Sequence, residues 1–160
     1  MSITIRYAEK GDEAAIAALL VDIHKQHAEG RPDLFGNGHA KYSEEDVLLM
    51  FHKENTPVFV AEDNALGVVG YAICTQIENT NPAMGRFSTL YLDDLNVSHR
   101  VRRQGVGTRL LDACRKEAAR LGCYSLTLNV WAFNEGAIRF YEANGFHVQR
   151  TIMETVIETK

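Results

Sequence analysis

Leu95-Asn96-Val97-Ser98-His99-Arg100-Val101-Arg102-Arg103-Gln104-Gly105-Val106-Gly107-Thr108 is the stretch on which the reading of this chain turns. An alternating run ends at Val97, a basic segment follows, and two glycines lead into Leu110, Leu111, Cys114, Ala118 and Leu121 at helical spacing. A strand therefore ends, a loop turns and a helix begins. Such a junction is an anion cradle. Glycine lets the backbone approach a ligand closely. The first N–H groups of a helix have no intrahelical partner and sit at the positive end of its dipole. Arg100, Arg102 and Arg103 add formal charge, so phosphate or pyrophosphate is the natural guest.

Two familiar phosphate-binding patterns do not fit. A P-loop needs Gly-Lys followed by Ser or Thr, and here Thr108-Arg109 follows Gly107. A dinucleotide fingerprint needs a third small residue where Leu110 stands, and an acidic residue ending the next strand, which Thr127–Val130 lacks.

Outward from this junction the chain alternates short elements. Ile3–Tyr7 reads as a strand. Gly11-Asp12 opens a helix with Ile16, Leu19, Leu20, Ile23 and His27 on one stripe. Glu29–Lys41, with Gly30, Pro32, Gly36 and Gly38, is predicted as a loop. Ser43-x-x-Asp46 resembles a capping box for a helix through about Lys53. Val58–Glu62 and Val68–Gln76 form a hairpin about Asp63-Asn64-Ala65, and Phe87–Val97 is a third strand. After the cradle helix, Gly122 is a stop, and Tyr124, Leu126, Leu128 and Val130 alternate as a strand. Asn134 caps a last helix with Ala137, Phe140 and Tyr141 inward, Gly145 ends it, and Phe146–Ile157 is predicted as a final strand. With no repeat and no linker, residues 1–160 read as one α/β domain.

Composition narrows the classes. At 160 residues, 46% hydrophobic and 24% charged, the chain resembles ordinary globular proteins rather than disordered ones. No apolar run reaches the roughly 18 residues of a membrane span, and the N-terminus predicts no signal peptide. Three cysteines without a C-x-x-C predict a reducing, cytoplasmic setting. Cys74 and Cys114 lie on apolar positions and are expected to be buried. Residues 1–96 hold 7 Lys and Arg against 15 Asp and Glu, whereas residues 97–160 hold 10 against 6. That asymmetry suits an anionic ligand on the second part and a cationic one on the first. The net charge of −4 argues against general nucleic-acid binding.

The cradle after Leu95-x-Val97 is similar to the acyl-CoA-binding motif of the GNAT superfamily of N-acetyltransferases. Asn134-Glu135-Gly136-Ala137-Ile138-Arg139-Phe140-Tyr141-Glu142-Ala143-Asn144-Gly145-Phe146 resembles that superfamily's second signature, N-x-x-A-x-x-F-Y-x-x-x-G-F. The order of elements matches over essentially the whole chain. The resemblance implies the GNAT fold, α/β (α+β), with a mixed, mostly antiparallel central sheet flanked by helices on both faces. It implies acetyl-CoA as co-substrate, no metal, and a primary amine of a small molecule or peptide as acceptor. No nucleic acid and no membrane is implied as partner, and a homodimer is expected, with Val148–Ile157 as a possible interface edge.

The resemblance also distributes roles. The N–H groups from about Arg103 through Gln104, Gly105, Val106 and Gly107 to Thr108 should hold the pyrophosphate, with Arg102 counted among the cofactor-binding residues. The main chain of Leu95 and Val97 should pair with the pantetheine arm, a main-chain N–H there should polarise the thioester carbonyl, and Asn96 between them is counted with the cofactor-binding residues. Asn134 either reaches that arm or is a plain N-cap, and both can hold. Tyr141 should protonate the departing thiolate, the alternative being a core aromatic. Asp93 and Asp94 are candidates for taking the amine proton; strand alternation predicts that at most one of them faces the acceptor. The loop Gly30–Lys41 should border the acceptor, through Arg31, Asp33, Phe35, His39 and Tyr42. His24 and His27 lack a further ligand cluster, and Cys123 lacks a catalytic partner by sequence. The competing functional reading is an acyl-CoA-binding sensor without turnover.

Overall fold

A computed structural model describes residues 2–36 and 38–158. The chain divides into two compact units, the first ending at Asn129 and the second starting at Val130.

The first unit is a five-stranded sheet: β1 (Ile3–Tyr7), β2 (Val58–Asp63), β3 (Gly67–Glu78), β4 (Ser88–Val97) and β5 (Ser125–Leu128), paired in that order. The first three pairings are antiparallel and β4–β5 is parallel. The hairpin between β2 and β3 forms where expected. Asp63 is buried, and its Oδ1 accepts from the N–H groups of Ala65 and Leu66 at 2.8 and 3.0 Å, an Asx turn that Gly67 completes with φ of 77°.

Helices cover both faces of this sheet. α1 (Glu13–Gly30) and α3 (Glu44–Met50) seal one face: Ile16, Leu19, Leu20, Val47 and Met50 pack with Val58, Val60, Tyr71 and Ile73. The alternate strand residues face α4 (Val106–Arg120), whose Leu110, Leu111 and Cys114 are fully buried. Cys74 and Cys114 meet across this layer, Sγ to Sγ 3.5 Å, buried as expected. Glu117 joins the buried stripe because Arg120 and the Tyr7 hydroxyl bind its carboxylate, at 2.6 Å each. α1 is held to β1 through Asp12, which takes a two-pronged contact from Arg6 at 2.8 and 3.1 Å. Both groups gain: burial works against the Asp12 carboxylate, but Arg6 keeps it below the ordinary carboxylate range.

Three expectations need correction. Glu29–Lys41 is not all loop: α1 continues to Gly30, and Pro32–Phe35 forms a single helical turn, α2, with Pro32 at its favoured first position. The helix begun by the Ser43 capping box, which forms as predicted, ends at Met50 rather than near Lys53. Residues 146–158 carry no strand, although their composition suits one, because a strand exists only as part of a ladder and no partner strand pairs with them among the described residues. The second unit's regular element is α5 (Glu135–Ala143), closed by Gly145 at φ of 87°.

Among the described residues no helix is long and apolar enough to cross a membrane.

The α4 face should contribute substantially to the first unit's stability. Leu110→Ala removes a fully buried side chain and should cost about 2–5 kcal/mol. Urea denaturation should show the midpoint falling at an unchanged slope. A midpoint within error of the parent would mean that this layer is not close-packed.

Candidate active site

The site starts from an irregularity in β4. Ile73 pairs with Asp94 and Cys74 with Leu92, so Asp93 is an extra residue, a β-bulge. In a regular strand Asp93 and Asp94 would point to opposite faces. The bulge breaks that alternation. Asp94 Oδ1 accepts from the Tyr71 hydroxyl at 2.9 Å, and Asp93 accepts from the Tyr42 hydroxyl at 2.5 Å and from Lys41 Nζ at 2.8 Å. Tyr71 belongs to the α1–α3 core and Tyr42 packs against it. Both carboxylates therefore face α1 and α3, where alternation allowed one.

The two acids are not equivalent. Desolvation pushes the Asp94 carboxyl up to about 6, with the Asp93 charge adding to the rise and Tyr71 and Lys41 opposing it. Burial works against the charge on Lys41, but its bond to Asp93 outweighs this and leaves it above the ordinary lysine value. Burial and Asp93 together push Tyr42 up. Asp93 is thus engaged by a cation and a phenol, while Asp94 titrates near neutrality.

The same strand has an open edge. Its parallel ladder with β5 stops at Leu92–Leu128, so from Asp93 to Val97 the β5-side edge has no strand partner among the described residues. The direction of the peptide groups follows from the other edge. Ser98 N–H donates to the Val69 carbonyl at 2.7 Å, so Ser98 and, two residues back, Asn96 face β3. Leu95 and Val97 then present their N–H and C=O groups to the open side. Asn96 does not belong with them: its main chain faces β3, and its buried side chain donates to the Leu19 carbonyl at 3.0 Å, fastening α1 to β4.

Beyond Val97 comes a 3₁₀ turn, His99–Val101, capped by Ser98. Val101 and Val106 are buried and pin an exposed loop, Arg102–Gly105, between them. Arg103 and Gly105 both adopt left-handed backbone, φ of 66° and 74°. For Arg103 that costs on the order of 1–3 kcal/mol. The loop turns directly into the first turn of α4, whose leading N–H groups lack intrahelical acceptors. A Cβ built on Gly105 meets no protein atom within 4 Å, so the space over the cradle is open. Arg102 folds back, its Nε donating to the Val97 carbonyl at 3.2 Å, and Arg109 is tied to the Ile3 carbonyl at 2.8 Å. An arginine-bearing loop that leads into a helix N-terminus, next to a strand edge without a strand partner among the described residues, suits a ligand with a phosphate head and an extended, amide-bearing tail.

In the second unit Asn134 is the N-cap of α5, its Oδ1 accepting from the Ala137 N–H at 3.2 Å. Tyr141 is half-buried, its ring meeting Phe140 and Phe146 edge-on at 5.2 and 5.6 Å. In the predicted acceptor loop, Arg31 and Asp33 bind each other at 2.8 Å, and Phe35 packs against His24 and His27. No group of three or more His, Cys, Asp or Glu placed to hold a metal occurs among the described residues.

Lys41 and Tyr71 were not foreseen. Lys41 sits one residue before the predicted Tyr42, and Tyr71 reads as one more strand aromatic; the tertiary pairing brings Lys41 to Asp93 and Tyr71 to Asp94.

Comparison with known proteins agrees with this geometry. The profile of the acetyltransferase (GNAT) family matches residues 18–146. An uncharacterized N-acetyltransferase of Bacillus subtilis, YhfO, is 30% identical over 142 residues, covering 89% of this chain and 88% of YhfO. The solved structure of a tetramutant of the BH1408 protein from Bacillus halodurans superposes with a TM-score of 0.89 at 26% identity, over 96% of this chain and 99% of that one. The aminoglycoside N-acetyltransferase AAC(6')-Iy, solved in complex with CoA, shares the fold, with a TM-score of 0.71 at 18% identity over 99% of this chain and 96% of that one. With the profile spanning most of its length, the chain belongs to the GNAT acetyltransferase family.

Proposed function

We propose that the protein transfers the acetyl group of acetyl-CoA directly to a primary amine of a small molecule or peptide. The observation that carries this reading is the unpaired edge of β4 running into the Arg102–Thr108 cradle, with a near-neutral carboxyl beside it.

Acetyl-CoA supplies the activated acetyl group as a thioester. The backbone donors of residues 103–108 bind its pyrophosphate. The N–H groups of Leu95 and Val97 pair with the pantetheine arm, and one of them donates to the thioester carbonyl as negative charge develops there, a contribution of roughly 2.7–4 kcal/mol in comparable oxyanion sites. Asp94, ionised above about pH 6, takes a proton from the acceptor's ammonium, directly or through water, so that the neutral amine attacks the thioester carbon. Asp93 keeps Lys41 and Tyr42 in place, and the Asp94 charge that Lys41 leaves unmatched favours a cationic acceptor. Tyr141 is assigned the leaving thiolate on its motif alone; a phenol of pKa near 10 is matched to that transfer. A sensor without turnover would have no use for the Asp94 carboxyl.

Three outcomes follow. Acetyl-CoA at 100 times its Kd should stabilise the fold by about 2.7 kcal/mol, read as a thermal shift. Gly105→Glu should remove that shift by placing a charged side chain in the cradle, and a full shift in the variant would move the site elsewhere.

The pH dependence has a definite sign. The folded Asp94 carboxyl lies above its ordinary value, so it is protonated, and unable to act as a base, below about 6. In a thiol-release assay over amines, aminoglycosides and peptides, kcat/KM should fall as pH drops through about 6. The limb should vanish in Asp94→Asn. It should move upward in Tyr71→Phe, which removes the hydrogen bond that stabilises the carboxylate. A limb unmoved by both changes would assign it to another group.

Tyr141→Phe should lower the single-turnover rate about 10²–10⁴-fold while acetyl-CoA affinity changes little. An undiminished rate would leave the thiolate to be protonated by water.

A further inference from the structure

Lys41 is held as a bound amine would be. Its Nζ donates to Asp93 Oδ1 at 2.8 Å and to the Asp93 carbonyl at 3.3 Å, and it lies 5.6 Å from the centre of the Tyr42 ring. A carboxylate, a carbonyl and an aromatic face together make a seat for a primary ammonium. The seat is fixed from behind. Tyr42 donates its hydroxyl to the other oxygen of Asp93 and packs against the α1–α3 core, and the Asp93 side chain is only 13% exposed. Lys41 itself is 47% exposed, so the seat opens to solvent.

The charges on this face do not balance. Both carboxylates turn toward it. Tyr42 and Tyr71 donate their hydroxyl protons there and are neutral phenols. Burial, then the charges of His24 and Lys41, holds the His27 imidazole below its ordinary value, so it adds no charge at neutral pH. Among the described residues Lys41 pairs with Asp93 and acts on Asp94 only through space. One carboxylate is matched and the other is not.

We propose that Lys41 sets the charge of the acceptor: by filling the Asp93 seat it leaves Asp94 to receive one ammonium, so the site selects monocationic amines and gives diamines no advantage. This rests on the reading that the acceptor amine meets Asp94. A second ammonium on an acceptor can reach Asp93, because adjacent Cα atoms lie about 3.8 Å apart. With Lys41 in place it has to evict one ammonium to seat another, with little net gain. With Lys41 removed it meets an unmatched, mostly buried carboxylate, where a charged hydrogen bond is worth about tenfold or more in affinity. The plain alternative is an ion pair that only fastens residue 41 to β4. It predicts a change in stability and none in the preference between amines.

Calorimetry on the whole chain tests this with n-butylamine and putrescine, the same carbon chain with an ammonium at each end. At about pH 8 Asp94 is ionised, and alkylamines of pKa near 10.4 are still charged. For the wild type the two dissociation constants should agree within about threefold. Lys41→Met, and Lys41→Gln, which keeps a donor without the charge, should each bind putrescine about tenfold or more tighter than n-butylamine. Lys41→Arg, which keeps a cation on Asp93, should retain the wild-type ratio. Lys41→Met/Asp93→Asn removes the seat along with its occupant and should return to that ratio. That return separates the effect from misfolding. Binding is read without acetyl-CoA, so its failure is distinct from a failure of acetyl transfer, which thiol release measures. A wild type that already prefers putrescine tenfold, an unchanged ratio in both Lys41→Met and Lys41→Gln, a double variant that keeps the preference, or no amine bound by any of these proteins would each overturn the proposal.

Discussion

Opposite the two residues Ile73 and Cys74, β4 spends three, Leu92, Asp93 and Asp94. The candidate site of the first unit depends on that one extra residue. It turns two adjacent carboxylates to the same face, where Tyr71, Tyr42 and Lys41 meet them. It lies where the parallel ladder to β5 stops, after which the peptide groups of Leu95 and Val97 face an edge without a strand partner. A bulge bends its strand and sharpens the local twist, so a strand paired with the first half of β4 diverges from the second half. An acid that burial pushes up to about 6 and an open row of backbone donors thus both follow the same bulge along β4.

The cradle that follows is strained, and its neighbours supply what holds it. A left-handed Arg103 persists only where the surroundings over-determine it. Val101 on one side and Val106 on the other are buried, and α4 continues with Leu110, Leu111 and Cys114 fully inside. Burying one such aliphatic side chain is worth roughly 1.5–3 kcal/mol, so the helix outweighs the cost of the loop that starts it. The strong amphipathic pattern of α4 and the strained turn before it are parts of one arrangement.

Much of this was legible in the sequence because it is local. The Ser43-x-x-Asp46 capping box, the Asp63 turn, the glycine stop at Gly122 and the stripe of α4 each depend on residues within a few positions, and each forms as read. The strand-to-loop-to-helix junction at residues 95–108 belongs with them, since its glycines and arginines are contiguous. The bulge was not legible. Leu92-Asp93-Asp94-Leu95 carries no glycine or proline to announce it, and an irregularity set by pairing with another strand leaves no local mark. Hence strand alternation, which allows at most one of the two acids on a face, does not anticipate both carboxylates turned toward α1 and α3, nor Asn96 bonded toward β3 and Leu19. Lys41 was missed for the same reason, since its partner lies 52 residues away. The final strand failed differently: its propensity is genuine, but propensity without a partner strand makes no ladder.

The central claim is that the open edge of β4 receives an extended ligand. Amide hydrogen exchange read residue by residue by NMR, with and without saturating acetyl-CoA, tests it most directly. The account predicts new protection at Leu95 and Val97 and in the turn from Arg103 to Thr108, with Asn96, already bonded toward β3, changing little. Binding of acetyl-CoA that leaves Leu95 and Val97 as exchangeable as before would contradict it.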